Sequence, residues 1–405
     1  MLRILRSIAP FALILFLTPT VLVAQDFLWE QRADMPAGRW GASTFVIGGT
    51  AYVVAGRVDS EDRTEMWAYD LITDSWSSRA PIPVARRLAA TFVINGKGYV
   101  ACGLYSSSSR LDDLWEYDPV ANTWAQRADF PGTARYGTYH FALNGYGYVG
   151  AGNMGSGNGP FLTDTYKYDP LSNSWSSAVA LPDLARHGTS SFVLGGRAYV
   201  FGGKESDLSF AEDLWSFDPT TNSWTLLAPF PGSPRSSPLA FVYENDAVIG
   251  CGRNDAVNFY DVWRYDPPTD HWSTVPDYPG ASSLAGTSFT IAGRAFGGLG
   301  WVLSDDSSAP DLWELVKPTE NSIGTLVDAH GVRAFPVPAT EDAINLTSPF
   351  PDQVTVLLLD AMGREISRSS FTGSSSLPIR GLAAGSYTIR WMNNDTRGSL
   401  RLLIP

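Results

Sequence analysis

A chain of 405 residues with a net charge of −12 is long enough for two or three domains, and its acidic body repels phosphate backbones, which excludes nucleic acid as a partner. Its 14 Trp and 38 Gly point to aromatic-rich β structure with many tight turns, and no long 3.6-residue apolar period follows the N-terminus. Only two cysteines occur, Cys102 and Cys251, so a disulfide framework is excluded.

The N-terminus comes first. MLRILR places Arg3 and Arg6 ahead of an apolar stretch over residues 8–23 that Pro10 and Pro19 interrupt. This is a signal-peptide pattern over residues 1–24, with cleavage after Ala24. A retained anchor is the alternative, and the prolines and short apolar span suit it poorly. No transmembrane segment is expected after cleavage.

From residue 29 the chain repeats itself. WEYDPVANTWAQRADFPGTAR at residue 115 returns as WSFDPTTNSWTLLAPFPGSPR at residue 215. The Trp closing each copy stands at Trp29, Trp76, Trp124, Trp175, Trp224 and Trp272, in steps of 47, 48, 51, 49 and 48 residues. A fixed period near fifty signals a repeat architecture. Each unit holds four strand signals. A β-rich run such as TFVI meets a Gly-Gly or Asn-Gly turn, then a second strand such as AYVFGG. After about ten looser residues comes a third strand ending in Tyr-Asp or Phe-Asp. A turn, Asp-Pro-x-x-Asn in full form, leads to the fourth strand and its Trp. Four antiparallel strands repeated radially make the blades of a β-propeller.

The small-Gly pair, the Tyr-Asp-Pro turn, the spaced Trp and the following Pro-x-x-Arg resemble the kelch repeat family over residues 29–315. One departure is that only Gly202-Gly203 keeps the full diglycine. The sixth unit has Asp311-Leu312-Trp313 but no later Trp, while Trp29 precedes the first full unit. The expectation is therefore an all-β, six-bladed kelch propeller over residues 25–318, closed by the N-terminal strand, which removes exposed sheet edges. Cys102 and Cys251 fall at one repeat position in opposite blades, too far apart to bridge. Both are read as small buried residues.

Residues 319–333 read as a linker and residues 334–405 as a small β-sandwich, with strand signals at 354–360, 365–371, 385–392 and 400–403. LLLDAMGRE, LPIRGLAAGSYTIRW and a final apolar strand resemble the C-terminal sorting domain of the type IX secretion system. The usual opening Pro-Asn-Pro is here Pro336-Val337-Pro338. The resemblance implies export across the outer membrane, with the protein secreted or held at the cell surface. An accessory adhesion sandwich is the alternative.

The variable loops and the channel mouth share one face of such a propeller, where binding residues are expected. Three residue sets point there. Arg39, Arg86, Arg135, Arg186 and Arg235 open strand one of five units, and unit six has Ser282-Ser283 instead. As a partial basic ring they suit a carboxylate-bearing ligand. The alternative is structural, each arginine pairing with a neighbouring blade's acid from the series Asp113, Asp164, Asp213, Asp261 and Asp311. Arg57, Lys204 and Arg253 follow strand two. Tyr105, Phe161, Phe210, Tyr260 and Trp301 are loop aromatics, suited to a sugar or to packing the loops.

No nucleophile elbow, phosphate loop or HExxH occurs, and no catalytic residue is assigned. Some kelch relatives are copper oxidases of galactose type, but neither cysteine lies in a loop. His271 sits in a tight turn on the other face and His330 in the linker, leaving only His140 and His187 near the mouth. No metal or cofactor is expected, and the acidic loop 59–62 reads as solvated. The leading expectation is a monomeric binding module for a glycan or protein partner, handled by the type IX machinery through residues 334–405. The alternative is a carbohydrate-active enzyme, of sialic-acid-mutarotase or galactose-oxidase type, at an arginine-lined mouth.

Overall fold

A computed structural model describes residues 27–281, 284–302, 306–317, 324–327, 332–337, 343–360, 362–383, 385–393 and 396–404. The signal-peptide reading, Ser282-Ser283 and His330 lie outside them.

Every described sheet is antiparallel, and the repeats fold into six four-stranded blades. Blade one runs Ser43–Ile47, Thr50–Val54, Met66–Asp70, Ser75–Arg79, in sequence order across the sheet. Blades two to five repeat that order from the first strands Ala90–Ile94, Tyr139–Leu143, Ser190–Leu194 and Leu239–Tyr243. Each first strand contacts the first strands of both neighbours, so these six strands line the axis. Blade six takes Thr287–Ile291, Arg294–Val302 and Ser307–Val316 from the last repeat, and its fourth strand is Leu28–Arg32. That strand pairs from Leu28↔Val316 to Arg32↔Leu312 and closes the ring.

The repeated Trp now has a cause. Each indole N–H donates to a carbonyl at the end of the preceding blade. The six bonds are Trp29 to Pro276 and Trp76 to Ala33, each 2.9 Å, Trp124 to Ala80 and Trp175 to Ala128, each 2.9 Å, Trp224 to Val179 at 3.4 Å and Trp272 to Ala228 at 3.1 Å. The Asp or Asn ending the strand 3–4 turn works from the same side. Asn122 Oδ1 accepts from its own blade's Tyr117 hydroxyl and from the backbone N–H of Ala80 in the blade before. Turn chemistry and inter-blade adhesion thus share one residue.

The core lies between blades rather than within one layer. Phe45 and Tyr52 of blade one pack with Val100 and Tyr117 of blade two. This is why Gly98 and Gly147 recur in strand two. A Cβ there would approach the rings of Phe45 and Phe92 to 2.5 and 2.4 Å. On the axis, hydroxyls bridge neighbouring first strands. Thr91 donates to the Thr44 carbonyl at 2.7 Å, Ser191 to that of His140 at 2.6 Å and Ser288 to that of Ala240 at 2.9 Å.

Cys102 and Cys251 are free and buried. Burial pushes the Cys102 thiol up to about 12. They and their equivalents Ala55, Ala151 and Leu299 hold positive φ of 56–61°, the conformation that a diglycine supplies without strain.

The tail forms two sheets. One orders Gly324–Val327, Arg333–Val337, Ala343–Thr347, Ser374–Pro378, and the other Glu365–Phe371, Val354–Leu359, Gly385–Asn393, Thr396–Ile404. They enclose a core with Val354, Val356, Ile389 and Trp391. The linker expected over 319–333 is corrected here, because Gly324–Val327 pairs with Arg333–Val337 and belongs to the sandwich. A four-residue strand is too brief for its alternation to register in the sequence.

Candidate functional site

The loop face carries the segments joining strand two to strand three, and the arginine series sits at its inner edge. These arginines are buried in their own blades. Arg39, Arg86, Arg135, Arg186 and Arg235 are each 0–1% exposed. Arg86 makes a fork with Asp113, both bonds 2.7 Å, and adds the Cys102 carbonyl at 3.0 Å. Arg135 forks to Asp164 and Arg235 to Asp261 in the same way. Arg186 pairs with Asp213, Glu205 and Asp183. The acid belongs to the same blade and not, as expected, to a neighbour. Trp115, Trp215 and Trp263 donate their indole N–H to these aspartates as well. Burial works against ionising Asp261, yet bonds from Arg235 and Trp263 hold its carboxyl below the usual range. Each clamp ties the start of strand one to the start of strand three.

Two blades break the pattern in opposite senses. Blade six keeps the acid without an arginine. Asp311 is 9% exposed and accepts from Trp313 and from the Ala281 N–H, but its Oδ1 has no partner among the described residues, nor does the buried Tyr278 hydroxyl. Blade one keeps the arginine, with Glu65 in the aspartate's place. Arg39 donates to the carbonyls of Ala55 at 3.0 Å, Glu65 at 3.4 Å and Ala37 at 3.4 Å, and to no carboxylate among the described residues.

The residue after each arginine was, His187 apart, missed in the sequence. Trp40, Arg87, Tyr136, His187 and Ser236, with Leu284 at the equivalent position of blade six, form a second ring, each bridged to the segment leaving strand two. Trp40 stacks on Trp301 at 5.6 Å and lies under Arg87, whose guanidinium is 5.3 Å from the indole. Arg87 also binds Asp62 of blade one, which accepts the Ser106 N–H. The third residue of the series closes the axis. The N–H groups of Gly41, Leu88, Gly137, Gly188 and Ser237 donate to the carbonyls of Ala285, Gly41, Leu88, Gly137 and Gly188. All six have positive φ, between 48° and 66°. A signal was present: a small or αL-tolerant residue stands two positions after every arginine but Arg86.

Beyond this backbone ring lies an axial cavity of about 320 Å³, lined by Ser and Thr, with His140. Burial lowers His140 and His187 to about 4. An unfolded histidine takes up a proton near pH 6.5, and these two stay neutral until about 4, so acidification through that window favours unfolding. The melting temperature should therefore fall as pH drops from 7 to 4, each histidine costing on the order of 3 kcal/mol at the lower end. A His140→Gln/His187→Gln chain should flatten the profile in calorimetry, and an unchanged slope would refute this.

Of the other candidates, Arg57 lies 3.5 Å from Asp62, Lys204 3.0 Å from Asp255, and Arg253 bonds its neighbour's carbonyl at 3.3 Å. Tyr105 and Tyr260 are 46% and 39% exposed. Phe161 is buried against His187, and Phe210 lies beneath the Lys204 ammonium. Trp301 donates to Asp306 at 2.9 Å. The structure does not gather these residues into one pocket. They ride on separate loops around the mouth, several built as short hairpins, including Arg57–Val58 with Glu61–Asp62 and Leu104–Tyr105 with Ser109–Arg110. No group of three metal-ligating side chains occurs among the described residues. No described helix is long and apolar enough to cross a membrane.

The model of the KLHDC2/KLHL20/DRC7 Kelch-repeats domain matches residues 130–295, and that of the Secretion system C-terminal sorting domain matches residues 333–405. No curated protein matches the chain. Among solved structures, one titled "Structure of YjhT" is similar at a TM-score of 0.63 and 16% identity, covering 72% of this chain and 98% of that one. At that identity the likeness concerns the fold alone.

Proposed function

Because the chain is a kelch-repeat β-propeller followed by a type IX secretion sorting domain, exported to the cell surface or beyond, we propose that it is a non-catalytic binding module whose loop face takes a glycan or protein partner. One observation carries this reading. Four of the five arginines are committed to aspartates of their own blades, while four apolar or aromatic side chains stand out among the polar residues of the loop face: Tyr105, Leu208, Val257 and Tyr260 are each 39–51% exposed. Exposed rings on a rigid scaffold suit sugar faces and protein anchors. An enzyme at an arginine-lined mouth has less support, because those guanidiniums already hold carboxylates.

The test is a glycan array probed with the secreted chain, followed by titration calorimetry on any hit. Tyr105→Ala/Tyr260→Ala should weaken binding about tenfold or more, roughly 1.4 kcal/mol, with an unchanged melting temperature. Proton NMR should show the bound sugar chemically unaltered. Turnover of the sugar, or full affinity in the double variant, would overturn the reading.

A further inference from the structure

In blades two, four and five a buried guanidinium and an indole N–H converge on one aspartate carboxylate. Blade one retains both donors. Arg39 is 1% exposed, as buried as its sisters, and its Nη2 donates to no group among the described residues. Trp67, which stands where Trp115 and Trp215 stand, has a buried Nε1 without a partner among the described residues. Only the carboxylate has gone. Residue 65 is Glu, one methylene longer, with an exposed side chain that makes no ion pair with Arg39.

We propose that blade one holds a binding site for an external carboxylate, taken between the guanidinium of Arg39 and the indole N–H of Trp67 where the sister blades use their own aspartate. The geometry already binds a carboxylate elsewhere in this molecule. A planar fork beside one further donor in a desolvated site is strong carboxylate recognition. Leaving both donors unpaired costs free energy that an entering anion recovers. Burial pulls the Arg39 guanidinium down to about 10, more than the nearby Glu65 carboxylate offsets without bonding to it, and Arg63 adds a second positive charge nearby. The group being replaced is a single aspartate carboxylate, so the ligand class is a monocarboxylate. The site lies at the loop-face end of blade one, where strands one and three begin.

The test uses the full secreted chain with 15N-labelled indoles. Trp67→Phe assigns the Trp67 N–H resonance. Acetate, then glucuronate, is titrated at constant ionic strength against sodium chloride. The expected result is a saturable downfield shift of the Trp67 resonance with acetate and none with chloride. A tighter response to glucuronate would place the carboxylate on a sugar. Glu65→Asp should supply the internal carboxylate, abolish the response, and raise the melting temperature by roughly 3–6 °C. No shift, an equal shift with chloride, or an undiminished response in Glu65→Asp would overturn the proposal. The site does not rest on the loop-face reading: Tyr105→Ala/Tyr260→Ala should leave the indole shift intact.

Discussion

Arg86→Met lowers the melting temperature of the secreted chain by about 10 °C, while Asp311→Asn leaves it unchanged or raises it slightly. The two positions belong to one clamp series and differ in what surrounds them. Arg86 is fully buried, and removing it strands the Asp113 carboxylate together with the carbonyls of Cys102 and Val84. Breaking a buried pair from one side costs about 3–5 kcal/mol, mostly the desolvation of the partner left behind. Asp311 already stands in that condition, with one carboxylate oxygen unpartnered. Neutralising it removes a burden, and an Asn can still accept from Trp313. Thermal melts of the two variants at pH 7 decide the matter. Equal losses would mean that the aspartates hold the blades without help from the arginines. The result also bears on interpretation: binding lost in Arg135→Ala would report a damaged blade rather than a missing ligand contact.

Deletion of residues 25–32 should abolish cooperative folding of the propeller. The fourth strand of blade six would vanish, exposing Leu312–Val316 as a free sheet edge. Phe27, 4% exposed and edge-on to Tyr243 at 5.4 Å, would leave the core, as would Trp29, wedged against Phe241 and Tyr278. Glu314, nearly buried, would lose Arg32 at 2.6 Å and keep only Arg294. Loss of one large aromatic costs about 3–5 kcal/mol, so losing two together with a strand rivals the about 5–15 kcal/mol that holds a whole domain. Size-exclusion chromatography and near-ultraviolet dichroism should show aggregated or expanded chains. A milder version, Trp29→Ala, should destabilise about as much as Trp76→Ala, because both indoles make the same inter-blade bond. A truncated chain that still melts sharply near the wild-type temperature would refute the closure.

The blades were legible because their causes are local. Asp-Pro-x-x-Asn turns, Gly-Gly and Asn-Gly hairpins and period-two strands are written in adjacent residues, and the Trp period of about fifty shows how often they recur. The ring closure was legible because Trp29 is one copy too early and the last unit one strand short. Side-chain partners were not. Arg86 and Asp113 are visible in the sequence, 27 residues apart, but whether an arginine at the start of strand one meets the acid of its own blade or the next depends on blade twist and strand stagger. The ring formed by Trp40, Arg87, Tyr136 and His187 escaped notice because those residues share a position and not a chemistry. In the tail, Gly324–Val327 was read as linker because four residues carry too little pattern to separate strand from loop.

The pairing of Leu28 with Val316 sets how the ring can be held. Strand three of every blade runs from the loop face to the turn face, so Val316 ends blade six on the turn face, and Leu28 begins beside it. The chain therefore enters and leaves the propeller at one point on the rim, on the side away from the variable loops. A tether fixed beyond residue 317 grips the ring from behind and leaves the whole loop face pointing outward, with no segment of the closing strands crossing it. Antiparallel pairing across nearly the full length of the propeller thus gives it a mounting side and a presenting side.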